Sequence, residues 1–128
     1  MKNYHHKFTF YGLYKSFTHA FRGFFVLLRY EYNLYIQLLF ALFAIVIGFL
    51  FHISFLEWAI QTTSIGLVIF SELVNTAIEK TMDLVHPGYD ERVRDIKDLA
   101  AGTVLFTVSI ALASAAFIYI PKISLFFS

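Results

Sequence analysis

The sequence predicts an all-α membrane protein of three transmembrane helices preceded by an amphipathic surface helix. Three observations carry that prediction. Of the 128 residues, 59% are hydrophobic and 15% charged, with sixteen phenylalanines and a mean hydropathy of +0.67; a soluble core of this size cannot hide so much apolar surface. Two stretches, Leu34 to Phe55 and Leu99 to Ile120, carry no charge, and about 20 residues at about 1.5 Å each span a hydrocarbon core of about 30 Å. Finally, Lys2, Lys7, Lys15, Arg22, Arg29, Lys80, Arg92, Arg94 and Lys97 all fall on one side of the resulting topology, with Lys122 alone on the other.

Residues 1–128 leave room for one domain. Ten Lys and Arg against nine Asp and Glu give a net charge of +1, which offers no reason to expect a nucleic-acid partner. The absence of cysteine excludes disulfides, thiolate zinc sites and cysteine nucleophiles. The first apolar run begins only after some thirty mixed aromatic and basic residues, unlike a cleavable signal peptide, so the N-terminus is expected to be mature.

The first element is a surface helix over about 12–31. Phe17, Phe21, Phe24 and Leu28 recur at helical spacing, with Lys15, Arg22 and Arg29 roughly opposite, the pattern of a helix lying on a leaflet. A first span over about 34–55 follows. The second, about 57–85, is membrane-like in its first half (WAIQTTSIGLVIF), whereas its second half (SELVNTAIEKTMDLV) is interrupted by Glu72, Asn75, Glu79 and Asp83. Pro87 and Gly88 mark a polar loop, HPGYDERVRD, expected over 86–96. A third span over about 97–120, rich in small residues that favour close packing, is expected to close at Pro121 and Lys122. The basic residues put the N-terminus and the 86–96 loop in the cytoplasm and the C-terminus outside.

Glu72, Asn75, Glu79 and Asp83 fall on one face of the second span. A carboxylate at the bilayer centre costs about 2.5–3.5 kcal/mol on insertion scales, so it persists where a cavity, a partner or a cation compensates it. Glu72 is the deepest of the four, with thirteen uncharged residues from Trp58 to Phe70 before it; Asp83 is as well explained by solvation at the interface. Glu31, Asp95 and Asp98 belong to the same membrane level. Glu31 with Glu79 makes a hard-oxygen pair suited to Mg²⁺, and Lys97 can hold a phosphate as a point charge; a snorkelling Lys97 and a helix-capping Asp95 are the plain alternatives. No soluble-type nucleotide, hydrolase or metalloprotease motif is present. His5, His6, His52 and His86 are not expected to be catalytic.

The string ELVNTAIEKTMD, Glu72 to Asp83, followed by KDLAAGTVL, Lys97 to Leu105, resembles the signature of the prokaryotic diacylglycerol kinase and undecaprenol kinase family. AFRGF at 20–24 and EYN at 31–33 resemble its surface helix and the glutamate after it, so the likeness covers nearly the whole chain. The resemblance implies a homotrimer of three-helix subunits in the bacterial cytoplasmic membrane. It also implies transfer of the γ-phosphate of MgATP to a membrane lipid alcohol, diacylglycerol or undecaprenol. Carried over by position, Glu72 is the general base at the lipid hydroxyl, and Glu31 and Glu79 are the magnesium ligands. The same two acids join Asn75, Lys97, Asp98, the loop residues Gly88, Tyr89 and Asp90, and His19 in a nucleotide-binding set, with Lys15 a weaker match. The chain departs from the family pattern after EYN, where LYIQ replaces the basic residue and histidine of many members, and no role is expected of Gln37. The alternative to a kinase is a non-enzymatic oligomeric membrane protein that uses the same acids to bind or conduct cations.

Overall fold

The structure, a computed structural model, describes residues 9–126; Lys2, His5, His6 and Lys7, which entered the reading above, lie outside the described residues. Those residues form four helices and no strand: α1 (Phe10–Tyr30), α2 (Tyr32–Leu50), α3 (Phe55–Val85) and α4 (Glu91–Phe126). The chain is an all-α membrane protein. α2 and α4 are each long and apolar enough to cross a bilayer, and Leu39, Phe43 and Phe49 of α2 and Leu105, Phe106 and Phe117 of α4 point their side chains outward. At 31 residues α3 measures about 46 Å, but its acids and amides make it less apolar than α2.

α1 keeps its aromatic face open, with Phe17 and Phe21 exposed. It meets the rest of the chain at its C-terminal end, where Leu27 is buried. Only Glu31 separates α1 from α2, in an extended conformation (φ −112°, ψ 105°). Its N–H still reaches Leu27 O at 3.1 Å, so α1 closes normally and α2 starts in the next residue. Two features hold this elbow. Leu27 and Leu34 are buried on either side of it, and the Tyr35 hydroxyl donates to Leu28 O at 2.7 Å, satisfying a carbonyl left free at the helix end.

Between α2 and α3 the chain turns through His52, a non-glycine residue at φ +46°. Ser54 then starts α3 with a capping box: the Glu57 N–H donates to Ser54 Oγ at 3.3 Å, and the Ser54 N–H to Glu57 Oε2 at 2.6 Å. The turn is tight because Gly48 has no side chain. A Cβ there would lie 2.8 Å from the Trp58 ring.

α3 is polar on its inner face, where Gln61, Ser64, Ser71, Glu72, Asn75 and Thr76 are buried. In a bilayer the apolar residues gain nothing by turning inward, so the polar ones do, and they supply the interhelical bonds. α4 runs back along α3, tethered at three depths. Lys97 pairs with Asp83 near the loop, Ser71 Oγ and Thr107 Oγ1 are 2.8 Å apart in the middle, and the Tyr119 hydroxyl donates to Gln61 Oε1 towards the far end.

α4 differs from the expected segment at both ends. It begins at Glu91 rather than near 97, because Asp90 caps it: Asp90 Oδ1 accepts from the Arg92 N–H at 2.8 Å, and Asp90 O from the Arg94 N–H at 3.0 Å. The connection between α3 and α4 is therefore only residues 86–90, and Asp95, offered as a cap, is one turn inside the helix. At the other end the helix passes through Pro121. Proline forfeits one backbone bond there, but Lys122 Nζ lies 3.1 Å from Glu57 Oε2 and Ser124 Oγ donates to Pro121 O at 2.8 Å, which holds the last turns in place.

Gly48→Val should destabilise the protein by about 1–3 kcal/mol through overpacking against Trp58, read as a lowered thermal unfolding midpoint in detergent.

Candidate active site

The C-terminal half of α3 carries the site. Glu72, Asn75 and Glu79 follow one another at spacings of three and four, so they share a face, and that face is turned inward. Glu72 is 2% exposed and Asn75 6%, while Glu79 is half-buried towards the loop. A carboxylate so enclosed needs a donor. Gln37 of α2 supplies it, its Nε2 donating to Glu72 Oε1; the carboxylate as an acceptor fixes which end of the amide faces it. Asn75 repeats the arrangement one turn on, with Nδ2 donating to Glu79 Oε1 at 3.2 Å.

Both amides spend a donor on an acid, and both keep an oxygen in reserve. Gln37 Oε1 and Asn75 Oδ1 are, among the described residues, the buried side-chain polar atoms without a hydrogen-bond partner. The site is therefore rich in acceptors and poor in donors. Glu31, half-buried at the elbow, adds to this, since its charge and that of Glu79 both reach Glu72. The elbow itself is pinned to α3 by Lys80, whose Nζ lies 3.5 Å from the centre of the Tyr30 ring, a cation–π contact one residue from Glu31 on one side and from Glu79 on the other.

These donors suit a hard cation. Glu31 and Glu79 offer carboxylate oxygens and Asn75 an unpaired amide oxygen. Among the described residues no group of three or more His, Cys, Asp and Glu is gathered closely enough to cage a metal. Two carboxylates are compatible with Mg²⁺, which takes one or two and leaves its remaining positions to substrate phosphates and water.

The other residues singled out by sequence are placed differently. Lys97 is not free: it pairs with Asp83 across the α3–α4 hairpin, which gives Asp83, the least explained acid of the stripe, a tethering role. Asp90 is taken up by capping α4 and by Arg92, whose Nη2 lies 2.9 Å from Oδ2. The side-chain bonds from Arg92, then its backbone N–H, hold the Asp90 carboxyl down at about 2. Gly88 and Tyr89 are exposed in the loop. Asp98 is exposed, 3.9 Å from Arg94, and with Asp95, Gly102, Phe106 and Thr107 it lines an open groove along α4. His19 and Lys15 are exposed on α1. One chain thus gathers Glu72, Asn75, Glu79 and Glu31, and leaves Asp98, Tyr89 and His19 outside the cluster.

Comparison with known proteins bears on this arrangement. Residues 18–119 match the family model described as prokaryotic diacylglycerol kinase. The chain belongs to the prokaryotic diacylglycerol kinase family. The undecaprenol kinase of Bacillus subtilis (strain 168) is 36% identical to it over 110 residues, which cover 86% of this chain and 89% of that protein. As a member of the prokaryotic diacylglycerol kinase family the protein is a phosphotransferase with an alcohol acceptor, a membrane lipid kinase. The matched segment contains the elbow at Glu31, Gln37 and the acidic face of α3.

Gln37 is the residue of the cluster that sequence reasoning set aside, and the structure bonds it to Glu72. Its signal was present: a primary amide in the charge-free first span needs a partner at membrane depth.

The depressed Asp90 carboxyl supplies a test of the capping geometry. Its native value of about 2 lies below the ordinary 3.8, so the stabilisation it brings is complete above about pH 4 and is lost as the pH falls through about 2. In Arg92→Ala the midpoint of the Asp90 carboxyl-carbon titration, followed by NMR, should rise towards 3.8.

Proposed function

We propose that the protein is an ATP- and Mg²⁺-dependent kinase of membrane lipid alcohols, with a polyprenol of the undecaprenol type as the favoured acceptor and diacylglycerol as the alternative. The observation that carries this reading is the buried Glu72 carboxylate, held by Gln37 and flanked by Glu79 and Glu31 on a helix inside a membrane protein. The 36% identical undecaprenol kinase favours the polyprenol.

A lipid alcohol presents its hydroxyl at headgroup depth, and Glu72 meets it there as general base. The hydroxyl oxygen attacks the γ-phosphorus, its proton passes to the Glu72 carboxylate, and the bond to the β,γ-bridging oxygen breaks with its electron pair leaving on ADP. Phosphoryl transfer asks for positioning and charge neutralisation rather than covalent chemistry, so a small membrane bundle suffices. Glu31 and Glu79 hold Mg²⁺, which when bound neutralises charge on the β- and γ-phosphates. Asn75 aligns Glu79 through its amide donor and offers Oδ1 to the incoming group. Asp98, the loop at Gly88 and Tyr89, and His19 serve the nucleotide around this centre, while Lys97 and Asp90 order the loop beside it through Asp83 and Arg92.

Three spans, α2, α3 and α4, cross the bacterial cytoplasmic membrane, with α1 on its cytoplasmic surface, the 86–90 loop inside and the C-terminus outside. A homotrimer accounts for the outward position of Asp98 and the adjoining groove, which a second copy can bring to the nucleotide of the first.

With purified protein, labelled γ-phosphate should pass from ATP to undecaprenol faster than to diacylglycerol. Glu72→Gln should lower kcat about 10²–10⁴-fold, the usual contribution of a general base, and chelation of Mg²⁺ or Glu79→Ala should abolish transfer. Ion flux without lipid phosphorylation, or full activity in Glu72→Gln, would overturn the reading.

A further inference from the structure

We propose that Gln37 is a positioning residue for the transfer, one that fixes how Glu72 is presented to the lipid hydroxyl. The inference rests on the reading of Glu72 as the base.

Gln37 Nε2 donates to Glu72 Oε1, so one carboxylate oxygen is committed to α2 and Oε2 lies outside that bond. A carboxylate on a glutamate side chain can swing about its last torsion through a broad range; the amide removes that freedom and selects one oxygen for the proton. Its own position is fixed. Gln37 lies three residues from Leu34, which is 0% exposed, so both occupy one face of α2 just beyond the elbow that carries Glu31. Base and elbow acid are therefore aligned by one short segment of helix.

Gln37 also stands at a boundary. A cavity of about 510 Å³ runs between α2, α3 and α4, walled by Phe40, Ala44, Val68, Ala111 and Ile118 with Gln37 at one end. An apolar side chain of the same length would suit that wall but leave Glu72 without its donor, whereas the amide serves Glu72 and buries its own Oε1 without a partner. Such an atom in a native structure asks for an explanation, and packing does not give one. The bond to Glu72 does. With Glu31 and Glu79 already bearing on Glu72, an uncharged donor orients the base without altering the charge of the cluster.

Three variants separate this role from a structural one. Gln37→Met keeps the length and removes both polar atoms without adding a charge; Gln37→Leu does the same with a branched side chain; Gln37→His supplies a ring N–H at similar reach. In the lipid kinase assay, Gln37→Leu and Gln37→Met should lower kcat about 10- to 100-fold, as expected for losing a hydrogen bond to an ionised group. The KM values for ATP and lipid should stay within about threefold, since the loss falls on the transition state. Gln37→His should recover kcat to within about fivefold of the parent on the same reasoning. Gln37→Leu should lower the thermal midpoint in detergent, because it leaves the buried Glu72 carboxylate without its donor, so the readout that a packing role would not produce is the loss of kcat at unchanged KM with recovery in Gln37→His. Parent-like kcat in Gln37→Met, or a rise in KM at unchanged kcat, overturns the inference. If Gln37→Leu does not fold, the unbranched Gln37→Met decides. Absence of lipid phosphorylation by the parent protein would instead overturn the reading of Glu72, so the two failures are told apart.

Discussion

A carboxylate enclosed in an apolar bundle sets the design of this molecule. Glu72 is almost inaccessible, and an isolated charge in such a place would cost more than a small protein can offset. The helices that meet there are arranged to answer it. α3 turns its polar residues inward, α2 brings Gln37 to the same depth, and the Thr76 hydroxyl bonds the Glu72 carbonyl at 2.8 Å, so the backbone carrying the acid is secured as well. The elbow at Glu31 follows from the same requirement. α2 must approach α3 steeply enough to deliver Gln37, and α1 must leave in another direction to keep its aromatic face open.

The remaining packing is what a bilayer allows. Lipid tails are as apolar as leucine, so hydrophobic burial supplies little drive for helix association, and polar contacts between helices have greater say. The α3–α4 hairpin shows this along its length. An ion pair near the loop, a Ser–Thr contact midway and a Tyr–Gln bond towards the far end hold two helices whose outer faces are largely apolar. The Tyr119 hydroxyl also lies 3.2 Å from Ala44 O, and Gln61 Nε2 donates to that carbonyl at 3.1 Å, so α2 joins the same knot. The acidic cluster thus sits between two sets of interhelical bonds, which limits how far its walls can move apart.

Much of this was legible in the sequence because it is periodic. The charge-free runs announce α2 and α4, the aromatic spacing announces α1, and the spacing of Glu72, Asn75 and Glu79 puts them on one face without reference to any other helix. What escaped was relational. That Gln37 meets Glu72, or that Asp83 meets Lys97, depends on the register between helices, and no local pattern encodes it. Gln37 stands where the chain departs from the family pattern, and such a departure says nothing of which helix the side chain meets. At the ends of α4 the misreading was local. Turn residues and charges implied a loop to 96, but a single aspartate at 90 with Arg92 beside it is a sufficient cap, and proline at 121 was read as a stop although the turns after it are held by other contacts.

The balance of donors and acceptors leads one step further. Glu72, Glu79 and Glu31 bring acceptors, and Gln37 and Asn75 spend donors on two of those acids while burying two more acceptors of their own. No arrangement of these five side chains alone satisfies them all. What relieves the imbalance must bring hydrogen-bond donors or positive charge. On the proposed reading both arrive with the substrates, the lipid as an O–H donor and the nucleotide with its divalent cation. Ligands that bind the folded state in this way also stabilise it, so the cluster is least comfortable when empty. Gln37 and Asn75 belong to that balance: each fixes an acid by one end of its amide, and each holds out an oxygen at the other.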